Sequence, residues 1–96
     1  MPLYAMLATW TEEGIRTVKQ APERSEALRR AVESAGGRVL SLLHTMGTYD
    51  MVATLELPSD EVANELMLRS GMQGFVRTTT LKGWTGAEFS QLVRKL

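Results

Sequence analysis

Met46-Gly47-Thr48-Tyr49-Asp50 separates two apolar runs near the middle of a 96-residue chain. Residues 39–46 and 49–57 read as two strands joined by a short reversal, where Gly47 supplies the positive φ that tight hairpins or bulges demand. The reversal brings His44, Tyr49 and Asp50 to one end of a sheet. No other stretch gathers as many reactive side chains.

Outward from this hairpin, the remaining elements have local start and stop signals. Residues 3–10 form a strand that is apolar on both parities. Thr11 follows as an N-cap, with Glu12 and Glu13 in the first helical turn, where negative charge suits the helix dipole. Pro22 interrupts this helix and starts a second segment. There Ala27, Leu28, Ala31, Val32 and Ala35 recur at helical spacing opposite Glu26, Arg29, Arg30 and Glu33. Gly36-Gly37 is a helix stop. After the hairpin, Pro58-Ser59-Asp60-Glu61 ends the third strand and caps a helix whose buried side is Val62, Ala63, Leu66 and Met67. Gly71 and Gly74 mark its end, and residues 75–84, with the run Thr78-Thr79-Thr80, form the fourth strand. Thr85 and Glu88 have capping-box spacing, so 86–96 is a terminal helix expected to present Phe89, Leu92 and Val93 to the body.

The order is βαββαβ in a single domain, 1–96, and predicts an α+β, ferredoxin-like fold. Its four-stranded antiparallel sheet carries helices on one face, with a short C-terminal helix added. Strand one has Leu3, Ala5 and Leu7 on one parity and Tyr4, Met6, Ala8 and Trp10 on the other, which implies burial of both faces. With no further layer in the chain, the uncovered face is expected to pack on another copy. Tyr4, Met6 and Ala8 are the residues assigned to that contact.

Composition narrows the function classes. Eleven basic residues balance eleven acidic ones, which leaves no excess positive charge for nucleic acid. There is no cysteine, hence no thiolate chemistry or Cys-ligated metal. The apolar runs are too short to span a bilayer, and no signal peptide is apparent at the start. The chain is read as cytoplasmic, with no membrane or nucleic-acid partner.

Three motifs carry a family resemblance: Trp10-Thr11 followed by Gly14 and Lys19; Gly47-Thr48-Tyr49-Asp50; and Val76-Arg77-Thr78-Thr79-Thr80 followed by the terminal helix. Through them nearly the whole chain resembles the GYD-domain family, grouped with the dimeric α+β barrel folds. The resemblance implies a barrel-like homodimer. It implies no single reaction, because relatives sharing the barrel include oxygenases, haem enzymes, isomerases and ligand-sensing modules.

His44 is the candidate catalytic residue, since an imidazole can move a proton near neutral pH. Trp10, Tyr49, Asp50 and Arg77 are the candidate ligand-binding residues. Asp50 is suited to orienting His44 or to holding backbone amides at the turn, and Arg77 to pairing with Asp50 or an anionic ligand. Trp10 and Trp84 close neighbouring strands and suit an apolar mouth or core packing. A lone histidine lacks partners at metal-ligand spacing, so neither a metal nor an organic cofactor is expected. Ser41, His44 and Asp50 match a hydrolase triad by type alone, with no nucleophile elbow. The favoured function is a homo-oligomeric small-molecule-binding module, non-catalytic or weakly catalytic. The alternatives are a cofactor-independent enzyme of oxygenase or isomerase type using His44, and an assembly protein without a ligand.

Overall fold

The computed structural model describes residues 1–96. Strand β1 (Leu3–Trp10) leads into helix α1 (Glu12–Arg16), where the Thr11 side chain accepts from the Gly14 amide. A single 3-10 turn, Val18–Gln20, joins it to α2 (Ala21–Ser34), with Pro22 in the first turn, where its missing N–H costs no helical bond. Gly36 ends α2 at φ +89°, while the Gly37 amide donates to Val32 O and the Gly36 amide to Glu33 O. This is the Schellman closure that a left-handed glycine permits. Strands β2 (Arg38–His44) and β3 (Met51–Glu56), helix α3 (Asp60–Met72), strand β4 (Val76–Gly83) and helix α4 (Gly86–Arg94) complete the chain. No helix is long and apolar enough to cross a membrane.

All strand pairs are antiparallel, in the order β2-β3-β1-β4, which is the ferredoxin-like arrangement. Tyr4, Met6 and Ala8 of β1 stand opposite Leu55, Ala53 and Met51 of β3. These six pack with Val32 of α2 and with Ala63 and Met67 of α3 in one core. Tyr4, Met6 and Ala8 therefore face the helices, not a second copy as their parity alone suggested. The Tyr4 hydroxyl fixes that choice, because it donates to Asp60 Oδ1 at 2.6 Å, at the start of α3.

The other parity faces away from the helices. Leu43, Val52 and Leu7 form one cross-strand row, and Thr54, Ala5 and Leu81 another. Nothing in the chain covers them. Leu43 is 63% exposed and Leu81 52%, bordered by the Arg38–Glu56 ion pair at 2.6 Å and the Ser41–Thr54 hydroxyl pair at 2.7 Å.

Two further expectations need correction. The hairpin reversal spans residues 45–50, longer than the two-residue turn read from the glycine. Asp50 bonds to both sides, its amide donating to Ala8 O of β1 and its carbonyl accepting from Thr45 N just beyond β2, and the loop closes with Thr45 Oγ1 donating to Tyr49 O. Helix α4 forms with both capping-box bonds, yet Phe89, Leu92 and Val93 remain exposed and do not reach the body. The helix follows Gly83 after only two residues, and its own cap holds it as an extension of β4. The molecule is accordingly 49 Å long and 18 Å thick.

Candidate functional site

The end of the sheet where β1, β2 and β4 meet α2 holds a cleft. The hairpin register places His44 opposite Met51, on the helix-facing side, and β1 ends beside it at Trp10. The two rings stack at 12° with centroids 6.4 Å apart, in the range of offset aromatic pairs. His44 Nε2 lies 2.9 Å from Ser25 Oγ on α2. The Asp50 carboxylate accepts from the Trp10 amide at 2.8 Å. It thus extends the β1–β3 ladder by one bond with a side chain and fixes the backbone beneath Trp10.

Arg24 forms the wall opposite. Its guanidinium carbon lies 4.3 Å from the centre of the Phe75 ring, a cation–π geometry. Its terminal nitrogens donate to Thr17 and to Gly14 O. Arg24 Nε is buried with no partner, and such a donor normally finds an acceptor. Phe75 is held by the α1 entrance, where the Thr11 amide donates to its carbonyl at 3.1 Å and Thr11 Oγ1 to Gly74 O at 2.6 Å. Gly14 makes this approach possible, because a Cβ there would overlap the Phe75 carbonyl oxygen and lie 2.9 Å from its carbon.

The cleft encloses about 50 Å³ among Trp10, Arg24, Ser25, His44, Asp50 and Phe75, with Met6, Ala8 and Leu28 in its apolar floor. A water needs about 10–15 Å³ on this measure, so the space suits a few waters or a very small ligand. The structure brings together Trp10, His44 and Asp50 from the sequence-derived set. Tyr49 stands on the adjoining loop outside the lining, and Arg77 lies on β4 in a separate groove against α3. Asp50 and Arg77 are not paired. Ser41 faces the opposite side of the sheet with Thr54, so Ser41, His44 and Asp50 form no triad. Gly47 has φ +107°.

Sequence reading missed Arg24, Ser25 and Phe75. Arg24 and Ser25 belong to the polar start of α2, where charge reads as a solvated face, and Phe75 reads as the first residue of a strand. The available signal was Gly14, a glycine inside a short helix that has no turn to make.

A second polar cluster lies at the far end of β1. Asp60 accepts from Tyr4 and, at 3.2 Å, from Lys82 Nζ, and these bonds, Tyr4 first, hold its carboxyl below the usual range. Burial, reinforced by the Asp60 bond and charge, pushes the Tyr4 hydroxyl up to about 12. A phenol with this environment remains protonated as a donor and locks α3 to β1.

The family model described as the GYD domain matches residues 4–93. A Thermus thermophilus protein named glutamine synthetase and cystathionine beta-lyase binding protein is 31% identical over 83 residues, which is 85% of this chain and 87% of the relative. Among solved structures, FFRP-DM1 superposes with a TM-score of 0.61 at 15% identity, over 88% of this chain and all of the other. TTHA0845 from Thermus thermophilus superposes with a TM-score of 0.55 at 22% identity, over 90% and 96% of the two chains. At these identities the two structures speak to the fold alone.

Proposed function

Because the chain belongs to the GYD-domain family, we propose that it is a small, non-catalytic, homo-oligomeric binding module of the cytoplasm. Two copies pair through the open sheet faces, and each keeps its cleft for a small hydrogen-bonding ligand. The observation that carries this reading is the uncovered apolar pair of rows, Leu43-Val52-Leu7 and Ala5-Leu81, on a chain that buries only 13 of its 96 residues. A face of this kind is a cost in a monomer and a driving force in a dimer. Within the cleft, the unpartnered Arg24 Nε supports a ligand with a hydrogen-bond acceptor, and the engagement of Asp50 by the Trp10 amide speaks against its use as a base for His44. His44 then acts as a wall and a hydrogen-bonding group.

Sedimentation of the wild-type protein and Leu7→Glu tests the first half: a dimer for the former and a folded monomer for the latter are expected. Monomeric wild-type protein at high micromolar concentration would refute the pairing. For the cleft, a small-molecule screen read by Trp10 fluorescence in a Trp84→Phe background should yield ligands whose binding weakens in Arg24→Lys.

A second reading is favoured by the relative named for binding glutamine synthetase and cystathionine beta-lyase. Here the group entering the cleft is a side chain of a partner enzyme, and the exposed Met46 and Tyr49 of the adjoining loop supply outer contacts. Retention of either purified enzyme by the immobilised protein, lost in Met46→Asp, would select this reading over the small molecule.

A further inference from the structure

Helix α4 is an amphipathic rod with no partner in its own chain. Phe89, Leu92 and Val93 fall within an arc of roughly 100°, all three are exposed, and Ser90, Gln91 and Arg94 lie on the rest of the circumference. Nine residues are too few to hold a helix in water by propensity, even with a capping box. Its stability requires a surface for that arc. The outer side of α3 offers one, because Leu68 (60% exposed) and Met72 (85%) line a groove of about 460 Å³ that α3 forms with β4, with Asn64 and Arg77 also in its lining and Glu61 one turn before Asn64 on α3.

Charge and direction decide whose α4 occupies it. The Lys82–Asp60 contact at 3.1 Å places the end of β4 beside the start of α3. If α4 folded back over its own α3 it would run parallel to it, with aligned dipoles, and Arg94 and Lys95 would approach Arg69 and Arg77 at the far end. A helix from a second copy can enter in the opposite direction. Its basic C-terminus then lies by Asp60 and Glu61, and the dipoles oppose. We infer that α4 is an exchanged arm, docking antiparallel on the α3 groove of a second copy of this chain. Exchange is reciprocal under two-fold symmetry, so two arms and two grooves are buried. With aromatic and leucine side chains on each arm, the total is on the order of 1,000–2,000 Å², the size of a specific interface.

This inference rests on the self-association proposed above but on a different surface. The chain has no cysteine, so a pair can be introduced cleanly. With Arg94 and Lys95 beside Asp60 and Glu61, the antiparallel register sets Leu92 near Asn64 of the groove, so Asn64→Cys and Leu92→Cys in one chain, oxidised at low micromolar concentration, should give disulfide-linked oligomers on a non-reducing gel. Mixing the two single variants should give the linked heterodimer, with little product from Leu92→Cys alone. Arg94→Glu with Lys95→Glu should slow linkage roughly fivefold, as expected for an exposed ion pair, and Glu61→Lys in the acceptor should restore it. An intramolecular disulfide would assign the groove to the chain's own α4 and overturn the inference. So would absence of linkage in a protein that sediments as a dimer, in which case the sheet contact stands alone. Linkage that persists in a Leu7→Glu background would uphold the arm while the sheet pairing failed.

Discussion

Replacing Gly14 by alanine sets two effects of opposite sign against each other. Gly14 lies inside α1, where helix propensity alone favours alanine by about 1 kcal/mol. Against this, the new methyl group would occupy the space of the Phe75 carbonyl oxygen. Backbone cannot rotate out of the way as a flexible side chain does, so α1 must withdraw from the Gly74-Phe75 segment. Withdrawal breaks the Thr11 amide bond to Phe75 and the Thr11 hydroxyl bond to Gly74, each worth about 1 kcal/mol. Overpacking that remains adds about 1–3 kcal/mol. The clash outweighs the propensity, for a net loss of about 2–4 kcal/mol. In a domain of this size that lowers Tm by on the order of 10–30 °C. Urea titration followed by circular dichroism measures it directly. Gly71→Ala is the control: it is also helical, but the nearest atom to its new Cβ is Arg77 Nη1 at 3.5 Å, an ordinary contact. That variant should gain about 0.5–1 kcal/mol. If Gly14→Ala gained as much, the close approach of α1 to Phe75 would be wrong, and with it the geometry of the cleft wall.

Gly47→Val should cost about 1–3 kcal/mol, seen as a lower urea midpoint at constant slope; the side chain has open space around it, so the whole effect comes from φ +107°. Tyr4→Phe should destabilise by about 1 kcal/mol at pH 7 through loss of the Asp60 bond. The raised Tyr4 value also gives a pH signature. Between pH 10 and about 12 the folded chain keeps a phenol proton that the unfolded chain has released, so stability falls as pH rises through this window. Tyr4→Phe should flatten that fall, and an unchanged alkaline profile would contradict the assignment. Asp60 acts at the other extreme: its lowered value contributes stability above the ordinary carboxyl range that disappears on further acidification, and Asp60→Asn should remove that acid dependence. His44→Ala should lower stability by about 1 kcal/mol, while His44→Gln, which can still bond Ser25, should lose less. Full stability in both variants with complete loss of a specific activity would instead make His44 an enzyme centre.

The elements that could be read from sequence are those fixed by neighbours a few residues apart. Thr85 and Glu88, Ser59 before Asp60-Glu61, and Gly36-Gly37 each satisfy a helix end with local bonds, and the βαββαβ order then leaves few ways to build a sheet. The direction of strand one was different. Both its parities are apolar, so no alternation identifies the inner face, and the decision comes from the long-range bond between Tyr4 and Asp60. The terminal helix shows the same limit: amphipathicity announces that an apolar arc needs a cover and says nothing about what supplies it. In the cleft, Trp10, His44 and Asp50 were legible because a hairpin and its neighbouring strand bring them together. Arg24 and Phe75 were not, since their meeting depends on how closely α1 passes Phe75, a distance set by a missing Cβ.

The strand order carries a consequence for how the chain comes into being. Strand β1 lies between β3 and β4, so one of its two edges waits for β4, made after α3. At roughly 5–20 residues per second, the nascent chain spends several seconds with that edge open after β3 has emerged. During this interval the ladder from Leu3 to Trp10 has half its main-chain groups bare and offers any extended segment a place to pair. A fragment halted before Val76 should therefore accumulate as aggregate even though both larger helices are present.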